Sequence, residues 1–281
     1  MLFPKNVGDY MSIDEVSLSQ GELYTFVTNK NGHGKKGTLL ASIKGTLSKD
    51  IISVLEKLPL DVRQKVKEVS LDMAKNMESS VKTCFPNANL VTDRFHVVKL
   101  VTDALQHVRV KLRWEELDKE NEAIDEARKQ NKKHKPEILE NGDTPKQLLA
   151  RARFVIAKKP TDWTDNQKQR AGLLFSIHPK LKQAYNHSLE FRNIYEENSM
   201  DIAQQKFRQW IDKSMNQDIK EFYSAAKSIK YHIDNILNFF KNRNTNANAE
   251  SFNAKIKLFR SNLRGVTDVS FFLFRLSKLF S

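Results

Sequence analysis

Strand-forming runs in this 281-residue sequence stop at Asp93, so any sheet must be built from the first third of the chain. Residues 10–16, Tyr-Met-Ser-Ile-Asp-Glu-Val, read as one strand, and 23–28 as a second, rich in β-branched and aromatic side chains. A turn at Ser19-Gln20-Gly21 joins them, and a loop from Asn29 to Gly37 leads to a third strand at 38–43. Ser48 is placed to cap a helix running to about Leu58, which Pro59 ends. Residues 66–72 read as a fourth strand, 73–84 as an amphipathic helix stopped by Phe85-Pro86-Asn87, and 90–93 as a fifth strand. Strand–helix–strand–helix at this spacing implies parallel neighbours joined by crossovers. The expected class is α/β, with a mixed sheet of about five strands: hairpins first, then a βαβ unit.

From Phe95 to Phe240 the pattern is helical, broken at 133–141, Pro145, 158–164 and His178-Pro179. Gly142-Asp143-Thr144-Pro145 reads as a cap before a helix carrying Leu148, Leu149, Ala152 and Phe154. Residues 119–140 hold many charges and few apolar groups, as a solvated helix or helical arm would. Trp114, Trp163 and Trp210 lie in this block and read as core or interface anchors rather than base-stacking groups. The expected division is 1–96, an all-α segment 97–240, and 241–281. The length suffices for one large domain or a core with a substantial insertion.

Composition narrows the partner. Hydrophobic content of 40% with 17 Phe supports a real core and excludes a disordered basic tail. The net charge is +13. From residue 227 onward ten basic residues face only Asp234, Glu250 and Asp268, a surplus of +7 in the last fifth of the chain. Such asymmetry is expected of nucleic-acid binders. A membrane surface fits less well, because that segment is rich in Phe and Leu of the buried type. The 29–37 loop, with three lysines and three glycines, lacks the order of a phosphate-binding P-loop and reads as a flexible hairpin tip within reach of DNA. Cys84 is the only cysteine, which excludes an internal disulfide and a multi-cysteine zinc site. Its expected place is buried. No run approaches a membrane span and Met1-Leu2-Phe3-Pro4-Lys5 is no signal peptide, so a soluble, cytoplasmic protein is expected.

Thr245 to Lys257 places one acid, Glu250, in a stretch otherwise dominated by Lys and Arg. At 100° per residue, Phe252, Ile256, Phe259 and Leu263 form an apolar stripe, with Glu250, Lys257, Ser261 and Arg264 opposite. Thr245 and the neighbouring asparagines are plausible caps. A carboxylate in a basic field suits a metal ligand facing a polyanion, or an exposed glutamate softening like-charge repulsion. Asp14 and Asp72 end strands expected to lie side by side, where Glu250 could complete a set of three hard oxygen donors for Mg²⁺ or Mn²⁺. Two such ions would serve phosphodiester displacement. A turn cap at Asp14 and a helix N-cap at Asp72 are the ordinary alternatives. Asp93-Arg94-Phe95-His96 adds a pair one helical turn apart, fit for metal ligation, for orienting a carboxylate or for capping, with a supporting role favoured.

Taken together, several segments resemble the bacterial insertion-sequence transposases of the ISL-three family. They are Ser12-Ile13-Asp14-Glu15, Ser70-Leu71-Asp72-Met73, Phe85-Pro86-Asn87-Ala88, Asp93-Arg94-Phe95-His96-Val97-Val98, Arg113-Trp114, Glu140-Asn141-Gly142-Asp143-Thr144 and Asn246-Ala247-Asn248-Ala249-Glu250-Ser251-Phe252-Asn253. The resemblance spans nearly the whole chain in order. It implies an RNase H-like catalytic domain with Asp14, Asp72 and Glu250 as a D-D-E triad holding divalent metal, Asp93 and His96 matching a D-x-x-H signature, and the helical block as an all-α insertion. Relatives usually carry a zinc-binding or helix-turn-helix region ahead of the first Asp, whereas thirteen residues precede Asp14 here. A separate DNA-recognition polypeptide, or a truncated copy, is therefore expected.

The expected function is Mg²⁺- or Mn²⁺-dependent cleavage at transposon ends and strand transfer into target DNA, by a homodimer or higher assembly. Lys255, Lys257, Arg260 and Arg264 are expected to hold phosphates near Glu250. The rivals are a catalytically incompetent DNA-binding remnant or partner subunit, and a nuclease that shares the site without transposing.

Overall fold

The computed structural model describes the whole chain except Ser19, Gln20, Gln217, Asp218, 244–246, Arg264 and Thr267, together with the side chains of 247–251. Five strands, β1 (Tyr10–Ser17), β2 (Leu23–Asn29), β3 (Leu39–Lys44), β4 (Glu68–Leu71) and β5 (Asn89–Thr92), form one sheet in the order β3-β2-β1-β4-β5. β2 runs antiparallel to β1 and β3, while β1, β4 and β5 are parallel. Between them lie α1 (Ser48–Leu55), the single turn α2 (Leu60–Arg63) and α3 (Lys75–Cys84). The chain continues through α4 (Arg94–Lys129), α5 (Pro145–Arg151), α6 (Arg153–Ile156), α7 (Asp165–Ile177), α8 (Pro179–Ile194), α9 (Met200–Asn216) and α10 (Tyr223–Tyr231). It ends with α11 (Ile233–Leu237), α12 (Phe239–Asn242), α13 (Ala247–Asn262) and α14 (Val269–Phe280).

The chain divides into two compact units, one of Met1–Val97 with His232–Ser281 and one of Val98–Tyr231. In the first, side-chain alternation along each strand assigns the sheet two faces. Met11, Ile13, Val27, Val69, Leu71 and Leu90 join Ile51, Leu55, Met77, Val81 and Cys84 in an apolar layer with α1 and α3. On the opposite face Val16, Tyr24 and Phe26 pack with Phe252 and Ile256 of α13 and with Phe272 and Leu276 of α14. Of the expected apolar stripe, Phe252 and Ile256 are buried and Phe259 packs at the margin, whereas Leu263 is 38% exposed near the end of α13. The α11–α12 segment belongs to this unit because α11 lies on β5, where Asn238 Nδ2 donates to the Leu90 carbonyl at 2.8 Å.

Three local expectations change. Ser48 is not the cap of α1; Leu47 holds that position, and the Ser48 hydroxyl donates instead to the Asn76 carbonyl at 2.9 Å. The 29–37 loop keeps Lys35 and Lys36 exposed, as a basic tip would, but not Lys30. A short 3₁₀ turn at Lys30–Gly32 sends Lys30 inward, where its ammonium meets Glu68 Oε1 at 3.2 Å and the Ser70 hydroxyl. The expected 19–21 turn includes Ser19 and Gln20, which lie outside the described residues, as does the Thr245 cap.

Among its described residues the second unit has helices and no strand, with an irregular stretch at 130–144 between α4 and α5. Thr144 and Thr164 begin α5 and α7 with reciprocal capping boxes to Gln147 and Gln167. Trp210 is buried against Phe191 and stacks on His187, and its indole N–H donates to the His187 carbonyl. Trp163 stacks on Tyr185 and donates to the Val155 carbonyl. Trp114 is 57% exposed, so of the two anchor roles expected it does not fill the core one.

Candidate active site

Strand register brings the first two acids together. β1 pairs with β4 through Met11↔Val69 and, last, Ser12↔Ser70, so the chains leave the ladder with Asp14 and Asp72 each two residues further on, near enough for the charge of Asp72 to act on Asp14. β4 pairs with β5 through Leu71↔Thr92, so the next rung aligns Asp72 with Asp93. All three positions alternate with apolar-layer residues, Ile13, Leu71 and Leu90, which puts them on the sheet face away from α3. Parallel pairing makes this possible, because it gathers the C-terminal ends of successive strands at one edge.

The local chemistry of each acid differs. Asp14 Oδ1 accepts the Glu15 amide at 2.8 Å, and Oδ2 accepts the side-chain amide of Asn253 from α13. Burial pushes the Asp14 pKa up against these hydrogen bonds and the nearby His96, and the charge of Asp72 adds to the rise. Asp72 Oδ1 accepts the Ala74 amide at 2.8 Å, a turn before α3 rather than the helix N-cap, since Ala74 holds that place. Glu15 is also raised, by burial and then by Asp72, and accepts a hydrogen bond from Asn76. Asp93 is 5% exposed and its Oδ1 accepts the Phe95 amide at 3.1 Å, so it does act as a helix-start cap. Its other oxygen lies 3.8 Å from His96 Nε2.

A cleft of about 570 Å³ opens here, lined by Asp14, Glu15, Asp93, His96, Asn253, Lys257 and Arg260 among others. Lys257 and Arg260 are exposed, and Arg260 Nη1 also donates to the Ser17 carbonyl at 3.3 Å. Lys255 does not line the cleft. Its ammonium donates to the Gly34 carbonyl at 2.6 Å, because a residue two before Lys257 leaves the helix in another direction. Glu250 falls within α13, but its side chain lies outside the described residues, and so does Arg264. Among the described residues no three His, Cys, Asp or Glu side chains form a metal-holding group.

Asp14 and Asp72 nonetheless suit a cation. Both are hard oxygen donors in register, and the raised Asp14 pKa is the signature of a desolvated carboxylate beside a second negative charge, which a divalent ion would relieve. Sequence reasoning passed over Asn253 and Glu15 as site residues. Asn253 could have been found from helical spacing, being three residues after Glu250 and four before Lys257.

A five-stranded sheet with its second strand reversed and helices on both faces is an RNase H-like fold, the class that includes transposase catalytic domains. Residues 11–276 match the ISL-three model of the DDE transposases, described as "Transposase", and the chain belongs to that family. It is 22% identical over 274 residues to the transposase for insertion sequence element IS1001 of Bordetella parapertussis, covering 97% of this chain and 61% of that protein. It is 25% identical over 256 residues to the transposase for insertion sequence element IS1557 of Mycobacterium tuberculosis, covering 88% and 54%. The chain therefore spans about three-fifths or less of these relatives' length.

Proposed function

We propose that this chain is the catalytic part of a transposase that cuts DNA at the ends of its element and joins them to a target. The observation that carries the reading is the parallel pairing of β1 with β4, which leaves Asp14 and Asp72 at neighbouring strand ends within reach of each other's charge, beneath a helix tied to Asp14 through Asn253. Helical periodicity supports Glu250 as the third acid: position 250 is one turn before Asn253 and two before Lys257, both of which line the cleft. Asp14, Asp72 and Glu250 would hold Mg²⁺ or Mn²⁺, two ions by the family's chemistry. Divalent metal supplies an activated attacking oxygen and neutralises the leaving one.

The chain's own groups do the rest. Asn253 orients Asp14 by donating to one of its oxygens, leaving the other set by the Glu15 amide. Asp93 fixes the start of α4 and keeps His96 beside the cleft in a supporting role. Lys257 and Arg260 would hold phosphates, and Arg264, proposed for the same role from its sequence position, lies outside the described residues. In the first step a water oxygen bonds to phosphorus as the bridging 3′ oxygen departs with a proton. In the second that 3′-hydroxyl bonds to a target phosphorus and a target 3′ oxygen departs. The helical block would be an insertion within this core. DNA ends and target are the proposed partners, with two copies or more to join two ends and a separate recognition polypeptide. Among the described residues no helix is long and apolar enough to cross a membrane, and a cytoplasmic site fits a chromosomal substrate. The family match and the acids retained at 14 and 72 weigh against a catalytically incompetent remnant.

Cleavage of transposon-end DNA, measured with a divalent-metal titration for the wild type and Glu250→Gln, tests the proposal. Metal-dependent nicking abolished by the substitution is expected. Equal cleavage by both proteins would reject the assignment.

A further inference from the structure

The helical unit carries a second basic locus, in which two arginines go unanswered by acids. Arg109 and Arg113 stand one turn apart on α4, and Arg153 opens α6. Arg109 is anchored, donating to the Leu149 carbonyl at 3.0 Å and to Gln106 Oε1 at 2.7 Å. Burial, then the charges of Arg113 and Arg153, hold its pKa below the ordinary guanidinium value, which places all three in one field. Arg113 and Arg153 are exposed, and among the described residues no carboxylate pairs with either. Their neighbours are treated differently: Arg151 and Arg170 both close on the buried Asp143.

The Arg153 guanidinium lies 4.5 Å from the centroid of the Phe154 ring, which is 56% exposed. A ring under a guanidinium holds its plane and leaves the N–H edge free to fork onto anion oxygens. The surrounding segment 145–170 has seven basic residues (Lys146, Arg151, Arg153, Lys158, Lys159, Lys168 and Arg170) against Asp162 and Asp165, a net of +5. That surplus is separate from the one near the C-terminus; acids pair with Lys146, Arg151, Lys159, Lys168 and Arg170, which leaves Arg153, like Arg113, suited to a polyanion.

We propose that Arg113 and Arg153, steadied by Arg109 and Phe154, form a clamp on the helical unit for neighbouring phosphates of duplex DNA. This rests on the reading that the chain acts on DNA. Fluorescence anisotropy with a labelled duplex of about 30 base pairs, repeated across salt concentrations, tests it on the full chain. In R113E/R153E the affinity should fall about tenfold or more, and the slope of log affinity against log salt should become shallower by about two. R113Q/R153Q should show the same slope change with a smaller loss, and it carries the test if the charge reversal melts early. F154A should weaken binding less than either pair. Unchanged affinity and slope in variants that melt like the wild type would overturn the clamp, as would a wild type that ignores DNA and captures an acidic protein through these arginines. End-DNA cleavage separates the two claims: binding through the clamp without any cutting would sink the transposase reading alone, and cutting with full binding in R113E/R153E would sink the clamp alone.

Discussion

Replacing Lys30 by Met should destabilise the core unit by about 3–5 kcal/mol, because it strands a buried charge. Lys30 is 5% and Glu68 1% exposed, and their charged atoms lie 3.2 Å apart. At an effective dielectric of about 20 that separation corresponds to an attraction of about 5 kcal/mol, set against a desolvation cost of several kcal/mol for each ion. The intact pair is therefore near balance, and burial alone pushes the Lys30 pKa down despite Glu68. Removing the lysine keeps the cost of burying Glu68 and deletes its main compensation, although the Asn242 side-chain amide still donates to its Oε2 at 3.1 Å. The Ser70 hydroxyl loses its Lys30 partner as well. Urea unfolding followed by circular dichroism measures the loss. The double variant Lys30→Met, Glu68→Leu should recover most of it, since both charges then go together. A cost below about 1 kcal/mol for the single variant, or no recovery in the double, would refute the reasoning.

Other outcomes follow from the same geometry. Asn253→Ala should leave folding intact and slow end-DNA cleavage about ten- to a hundredfold, since a hydrogen bond to a charged oxygen is worth roughly 1.5–3 kcal/mol. Asn253→Asp, which sets another negative charge against Asp14, should need more metal for the same rate. An unchanged metal titration in both variants would remove Asn253 from the site. In the helical unit His187 is 2% exposed, bonds the Ser214 hydroxyl at 2.7 Å and has its pKa pushed down to about 4 by burial. Its folded pKa lies below the unfolded value of about 6.5, so the unfolded chain binds the proton more readily. Its contribution to stability is thus full above about pH 6.5 and is lost as pH falls towards about 4, on the order of 2–3 kcal/mol. Melting temperatures from pH 8 down to 4 should drop more steeply for the wild type than for His187→Gln, and parallel curves would contradict this.

The sheet was largely legible in the sequence. Alternation and β-branched content marked every strand, and the strand–helix–strand spacing implied the parallel pairing of β4 with β5. The inward turn of Lys30 was not legible, because a lysine among glycines looks solvated until its partner, 38 residues away on β4, is in place. Lys255 and Lys257 read alike as part of one basic helix, and only the packing of Phe252 and Ile256 decides which lysine meets the cleft. Trp114 shows the limit of composition: a large aromatic does not by itself say whether the core takes it up, and this one is 57% exposed.

Binding of Mn²⁺ to the chain alone, followed by electron paramagnetic resonance, bears most directly on the joint role of Asp14, Asp72 and Glu250. The account predicts that the wild type takes up the ion and that Asp14→Asn, Asp72→Asn and Glu250→Gln each weaken uptake about tenfold or more while melting as the wild type does. Uptake by Glu250→Gln equal to that of the wild type would contradict it.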